Sequence, residues 1–111
     1  MKTLADMLEG LLKKIFPTRV AFGDGSYVEF LNREAILYAE KDGHQMEVVW
    51  YFHPDRMKGR VLRTGDINRW DSPYEVEHLS KEKKYEIQQK IIEYCLRRSI
   101  PLEIKDDPGG A

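Results

Sequence analysis

From Met1 to Phe16 the apolar residues Leu4, Leu8, Leu11, Leu12 and Ile15 recur at helical spacing and form one stripe. Thr3 stands in the capping position with Asp6 three residues on. Lys13 and Lys14 suit the negative end of the helix dipole, and Pro17 closes the run. The pattern predicts an amphipathic N-terminal helix, weakened modestly by Gly10 and packed on the core.

At Val20 the period changes from helical to extended. Val20–Phe22 and Tyr27–Leu31 flank Gly23-Asp24-Gly25-Ser26, residues that turn a hairpin because they supply positive φ at low cost. Ala35–Glu40 is the next predicted strand, Lys41-Asp42-Gly43-His44 the next turn, and Met46–His53 the strand after it. In that last strand Met46, Val48, Trp50 and Phe52 alternate with Glu47, Val49, Tyr51 and His53, so the two sets belong to opposite faces. Connections this short require an antiparallel meander.

Between His53 and His78 the pattern loses its period, with Pro54, Gly59, Gly65 and Pro73 interrupting it. Val61 and Leu62, flanked by Arg60 and Arg63, read as a fourth short strand in an otherwise irregular segment. Long irregular segments in small domains are disproportionately functional. Order returns at Ser80, a cap for a second helix running to about Arg98, in which Ile87, Ile91, Tyr94 and Cys95 share a face that Ile92 and Leu96 widen. Ile100, Leu102 and Ile104 then alternate with Pro101 and Glu103, and the proline assigns this last strand to a sheet edge.

The predicted architecture is therefore α+β, an antiparallel β-meander packed with an N-terminal helix and a longer C-terminal helix and followed by a final edge strand. With 111 residues, one domain over residues 1–105 accounts for the chain, and residues 106–111, rich in Asp, Gly and Pro, read as a disordered tail. Charged residues make up 33% and hydrophobic residues 41%, ordinary globular usage that argues against wholesale disorder. Eighteen basic residues against nineteen acidic ones leave a net charge of −1, so any electrostatic partner must be met by a local patch. Charges inside the first apolar stripe are unlike a secretory leader, and a cytoplasmic, membrane-free protein is the expectation.

Candidate chemistry is sparse. The single cysteine, Cys95, falls on the apolar face of the second predicted helix, where a thiol is a small hydrophobe. His44, His53 and His78 lack the spacing by which one element presents two metal ligands, and no cofactor motif is present. His53-Pro54-Asp55 matches the tripeptide of the J-domain co-chaperones, but it follows a strand-like run rather than a basic helix and reads as a turn. Phe22-Gly23-Asp24-Gly25-Ser26 has neither the lysine nor the following helix of a phosphate-binding loop. Glu29, Glu40 and Glu47 could line one sheet face, which keeps a small hydrolase among the alternatives.

The Asp55–Tyr74 segment mixes Arg56, Arg60, Arg63 and Arg69 with Trp70 and Tyr74. Arginine beside aromatic residues suits a protein hot spot or a single nucleic-acid strand, because both need stacking surface and directed donors. Overall neutrality favours protein, with an RNA- or single-strand-binding module as the alternative. Arg56, Arg60, Arg63, Arg69, Trp70 and Tyr74 are thus the candidate partner-binding residues. Trp70 has a second reading, as a plug of the core beneath the loop.

Arg69-Trp70-Asp71-Ser72-Pro73-Tyr74, the helix opened by Leu79-Ser80 and carried through Ile87, Ile91 and Ile92, and Ile100-Pro101-Leu102-Glu103-Ile104 form a recognisable series. Together with Tyr27-Val28-Glu29-Phe30 and Ile36-Leu37-Tyr38-Ala39-Glu40, it resembles small α+β proteins described as predicted immunity proteins of bacterial polymorphic-toxin systems. The resemblance spans about Tyr27 to Ile104 and leaves the N-terminal helix outside it. It implies a non-enzymatic protein that binds and neutralises a cognate toxin, with no catalytic residues.

Overall fold

A computed structural model of the chain describes residues 18–55 and 58–106. The predicted N-terminal helix and Arg56 lie outside the described residues. Strands β1 (Arg19–Ala21), β2 (Tyr27–Asn32), β3 (Ala35–Ala39) and β4 (Gln45–Val49) form an antiparallel four-stranded sheet in that order. Its register places Val20, Val28, Tyr38 and Met46 in one cross-strand row and Phe30, Ile36 and Val48 in the next. These residues share a face because side chains alternate along each strand. The turn between β1 and β2 needs Gly25 at φ +89°, and Asp24 fixes it by accepting from the Ser26 amide at 3.0 Å.

The predicted strand Met46–His53 is interrupted at Trp50, and this is the main departure from the expected meander. Trp50 donates its amide to Glu34 O at 3.0 Å and its indole Nε1 to Arg33 O at 3.1 Å, so it is bonded to the β2–β3 turn rather than to a strand. Beyond it, β5 (Tyr51–Phe52) joins a second, three-stranded sheet with β6 (Arg60–Arg63) and β7 (Leu102–Lys105), in the order β5-β6-β7. The segment around Val61 and Leu62 is thus a strand, as expected, but it pairs in the second sheet. There β5 and β6 run antiparallel while β6 and β7 run parallel. β7 does take an edge.

Close approach of β6 to β7 depends on Gly59, at φ +71°, where any Cβ would run into the Pro101 carbonyl. Arg60 N donates to that same carbonyl at 2.9 Å, so the missing side chain and the first bond of the parallel pairing belong together.

The helix Lys81–Arg97 starts as its sequence dictates: the Ser80 side chain accepts from Lys83 N at 3.0 Å. Ile87, Ile91, Tyr94 and Cys95 are buried and join Val28, Ile36, Tyr38, Met46, Val48, Trp50 and Leu62 in one core. Leu96 departs from the predicted apolar face. It is 71% exposed, because the buried stripe is narrower than the run of apolar residues around it. Ile100, Leu102 and Ile104 pack on the core from β7 and the turn before it. Asp106, the first residue of the predicted tail, accepts a hydrogen bond from the Thr64 hydroxyl at 3.1 Å, and residues 107–111 lie outside the described residues.

Candidate functional site

The candidate partner-binding residues do not gather into one patch. Trp70 is turned inward: it is 5% exposed, stacks on Tyr38 at 6.1 Å between ring centroids, and meets the edge of His44 at 5.1 Å. The residue after it, Asp71, donates its amide to Gln45 O, so the loop covers the open side of β4. Tyr74 is half-buried with its ring on His44 at 3.7 Å. Arg69 alone of the three is exposed.

His44 ties the loop to the β3–β4 turn, a role the sequence did not announce. Its Nδ1 lies 2.8 Å from Asp42 and its Nε2 2.8 Å from Glu77, so both ring nitrogens face carboxylates. Two donors toward two carboxylates describe an imidazolium. Removal from water pulls the His44 pKa down, the bonds to Asp42 and Glu77 push it up, and the balance is upward. The Asp42 carboxyl is correspondingly held below its ordinary value by the His44 amide and ring donors.

At the same end of the four-stranded sheet, Asp24, Ser26, Glu40, Lys41 and Asp42 line an open cleft. Lys90 reaches it from the helix, bonded to Asp24 and to the Ser26 hydroxyl at 2.8 Å, while Lys83 binds Glu40 and Glu86, each at 2.8 Å. A serine beside a lysine has the composition of a nucleophile with its base. Here, however, Ser26 Oγ donates to Asp24, the residue is 3% exposed, and Lys90 Nζ donates to both Asp24 and Ser26 Oγ, so it is placed as a donor and not as a base. Bonds from Lys90 and Ser26 keep the Asp24 carboxyl well below the usual carboxylate range. The cluster ties the first hairpin to the helix. The Tyr38 hydroxyl belongs to the same network, donating to Glu40 at 2.7 Å, and burial with that bond raises its pKa.

Of the three glutamates expected on a sheet face, Glu29 and Glu47 do share a row, one on each side of Leu37, while Glu40 lies past the end of β3 on Tyr38 and Lys83. His53 bonds Glu103 at 2.9 Å and accepts from the Asp55 amide at 2.9 Å, the turn its proline predicted. Cys95 is 2% exposed, and burial pushes its thiol up to about 12, which makes it unreactive at neutral pH. Among the described residues no group of three His, Cys, Asp or Glu side chains gathers as metal ligands, and no helix is long and apolar enough to cross a membrane.

Sequence reasoning placed Arg60 and Arg63 on the candidate surface without their aromatic partners, Phe52 and Tyr51. The Arg60 guanidinium lies 3.7 Å from the Phe52 ring centroid and 5.1 Å from that of Trp50, and Arg63 lies 4.7 Å from that of Tyr51. Both stacks follow from cross-strand pairing. Phe52 is directly opposite Arg60, while Tyr51 is opposite Val61 and diagonal to Arg63. Phe52 is 59% and Tyr51 39% exposed, so each stack stands at the surface. Tyr51 and Phe52 are consecutive in one strand, which puts the two stacks on opposite faces of the sheet. The aromatic half of the signal was present in the sequence as Trp50-Tyr51-Phe52, assigned there to a continuous strand.

Set against known proteins, the chain matches no family model, no curated protein and no solved structure. What it does must be argued from the residues themselves.

Proposed function

We propose that this chain is a non-enzymatic protein-binding domain whose contact surface is centred on the second sheet, and that its use is neutralisation of a cognate toxin. The observation that carries the binding reading is the pair of exposed arginine–aromatic stacks, Arg60 on Phe52 and Arg63 on Tyr51. Arginine and aromatic residues concentrate binding energy at protein interfaces, because a rigid ring buries area at low entropic cost and a guanidinium adds directed donors. Arg69, exposed on the loop that Trp70 anchors to Tyr38 and His44 of the first sheet, is a separate candidate contact. The toxin-directed use follows the resemblance of residues 27–104 to predicted immunity proteins.

The test is affinity capture of the tagged full chain from its native host, then purification of the captured protein and titration against it. The reading expects one stoichiometric protein partner whose expression alone arrests growth and whose effect is relieved by this chain. Capture of RNA in its place, with affinity falling steeply as salt rises, overturns it in favour of the nucleic-acid module.

A further inference from the structure

Cations that reach the first sheet find carboxylates: Lys83 meets Glu40 and Glu86, Lys90 meets Asp24, and Arg19 meets Glu29 at 3.3 Å. Arg60 does not. Among the described residues its Nη1 is buried without a hydrogen-bond acceptor, and its guanidinium lies against the rings of Phe52 and Trp50. Arg60 as a whole is half-buried, so its charge is partly removed from water with no carboxylate to answer it, and an anionic oxygen approaching from solvent would offset that cost.

Trp50 also holds the backbone of a second arginine. Its indole holds Arg33 O at 3.1 Å, which sets the β2–β3 turn against the start of the second sheet. Arg33 is exposed and close enough that, after removal from water, its like charge is the next cause lowering the Arg60 pKa. Two arginines that both contact Trp50, one through its backbone carbonyl and one through its guanidinium, in a chain with 19 acidic residues against 18 basic ones, make a local positive site that net charge conceals.

We infer that the junction of the two sheets is a subsite for a carboxylate side chain of a protein partner, with Arg60 and Arg33 as its donors and the exposed face of Phe52 as the apolar contact beside it. This rests on the protein-binding reading above and names the chemistry its partner must present, an acidic segment carrying an aliphatic or aromatic neighbour. The Arg60 side chain is already positioned by two rings, so little rotamer freedom is lost when it binds. A single nucleic-acid strand fits less well. Strand binding needs successive bases stacked along one platform, and Tyr51 and Phe52 face opposite sides of their sheet, each with an arginine on it.

The experiment titrates the isotope-labelled full chain with the capped hexapeptide acetyl-Asp-Glu-Phe-Glu-Asp-Glu-amide, and in parallel with inorganic phosphate and with oligouridine, while following the arginine side-chain Nε–Hε NMR signals. Saturable shifts of Arg60 and Arg33 with the peptide, with Arg69 unmoved, are expected. R60Q and the exposed-site variant R33Q should each weaken peptide binding, R60Q by about tenfold or more, the scale of charge-assisted hydrogen bonds. Equal, unsaturating shifts of every arginine overturn the subsite, as does tighter binding of oligouridine or phosphate than of the peptide. If R60Q and R33Q both hold the captured protein partner as tightly as the unaltered chain, the subsite is overturned while the protein-binding reading stands. If the peptide binds as expected and no protein partner is captured, the subsite stands and that reading falls.

Discussion

Around the four-stranded sheet Asp24, Glu40 and Glu86 answer Lys90 and Lys83, and the helix is stitched to the hairpins by bonds that close within the molecule. In the three-stranded sheet Arg60 and Arg63 lie on Phe52 and Tyr51, and the aromatic rings remain at the surface. Both sheets contribute to the same core, so burial does not separate them. What separates them is whether charge is met inside the chain. A cation matched by a carboxylate of its own chain holds a fold together, and one whose described partner is an exposed ring is available to something outside.

Trp50 belongs to both regions, and removing it should break the comparison most severely. It is 1% exposed, touches Arg60, Phe30 and Tyr94, and bonds the β2–β3 turn. Trp50→Ala should cost about 3–5 kcal/mol, the scale of large aromatic truncations in cores. Chemical denaturation measures it, and a loss under about 0.5 kcal/mol, the scale of surface substitutions, would mean the sheets are held together elsewhere.

Next in size is Gly59→Ala. A side chain at Gly59 meets the Pro101 backbone at positive φ, whereas one at Gly43, φ +97°, meets open space. Left-handed backbone alone costs about 1 kcal/mol, and the clash should raise the Gly59 figure to roughly 2–4 kcal/mol. Equal melting temperatures for Gly59→Ala and Gly43→Ala would refute the tight β6–β7 approach.

Lys90→Met tests the closed charges of the first region. It keeps the stem and removes the bonds to Asp24 and Ser26, and should cost about 1 kcal/mol. Arg63→Gln, by contrast, should change stability by no more than about 0.5 kcal/mol. If Arg63→Gln proved as damaging as Lys90→Met, the distinction between structural and available cations would collapse.

The smallest effect is one of pH. Because the His44 pKa is raised in the folded chain above its ordinary 6.5, its contribution is fully present below pH 6.5 and is lost as pH rises through the folded value. Asp42, lowered from 3.8, contributes above pH 3.8 and loses its share as pH falls through its lower folded value. Melting temperature should therefore be highest between those limits, and the decline on the alkaline side should be absent in His44→Asn. Parallel profiles for the two proteins would sever His44 from the Trp70–Tyr74 loop.

Local chemistry was readable residue by residue. Gly23-Asp24-Gly25-Ser26 turns because glycine admits positive φ and Asp24 bonds its own backbone two residues on; Ser80 caps because its oxygen reaches Lys83 N; Met46, Val48 and Trp50 alternate inward because the pleat alternates. Each of these outcomes is settled over a few residues, so the order of residues along the chain suffices. The interruption at Trp50, the parallel pairing of β6 with β7, the inward turn of Trp70 and the gathering of Arg33 and Arg60 on Trp50 were decided otherwise. A strand's period says which side chains share a face but not which strand its amides will find, and that choice goes to whichever distant partners best satisfy the backbone and fill the core. For Trp50 those partners were Glu34 O and Arg33 O, and by taking them it divided one hydrophobic run between two sheets.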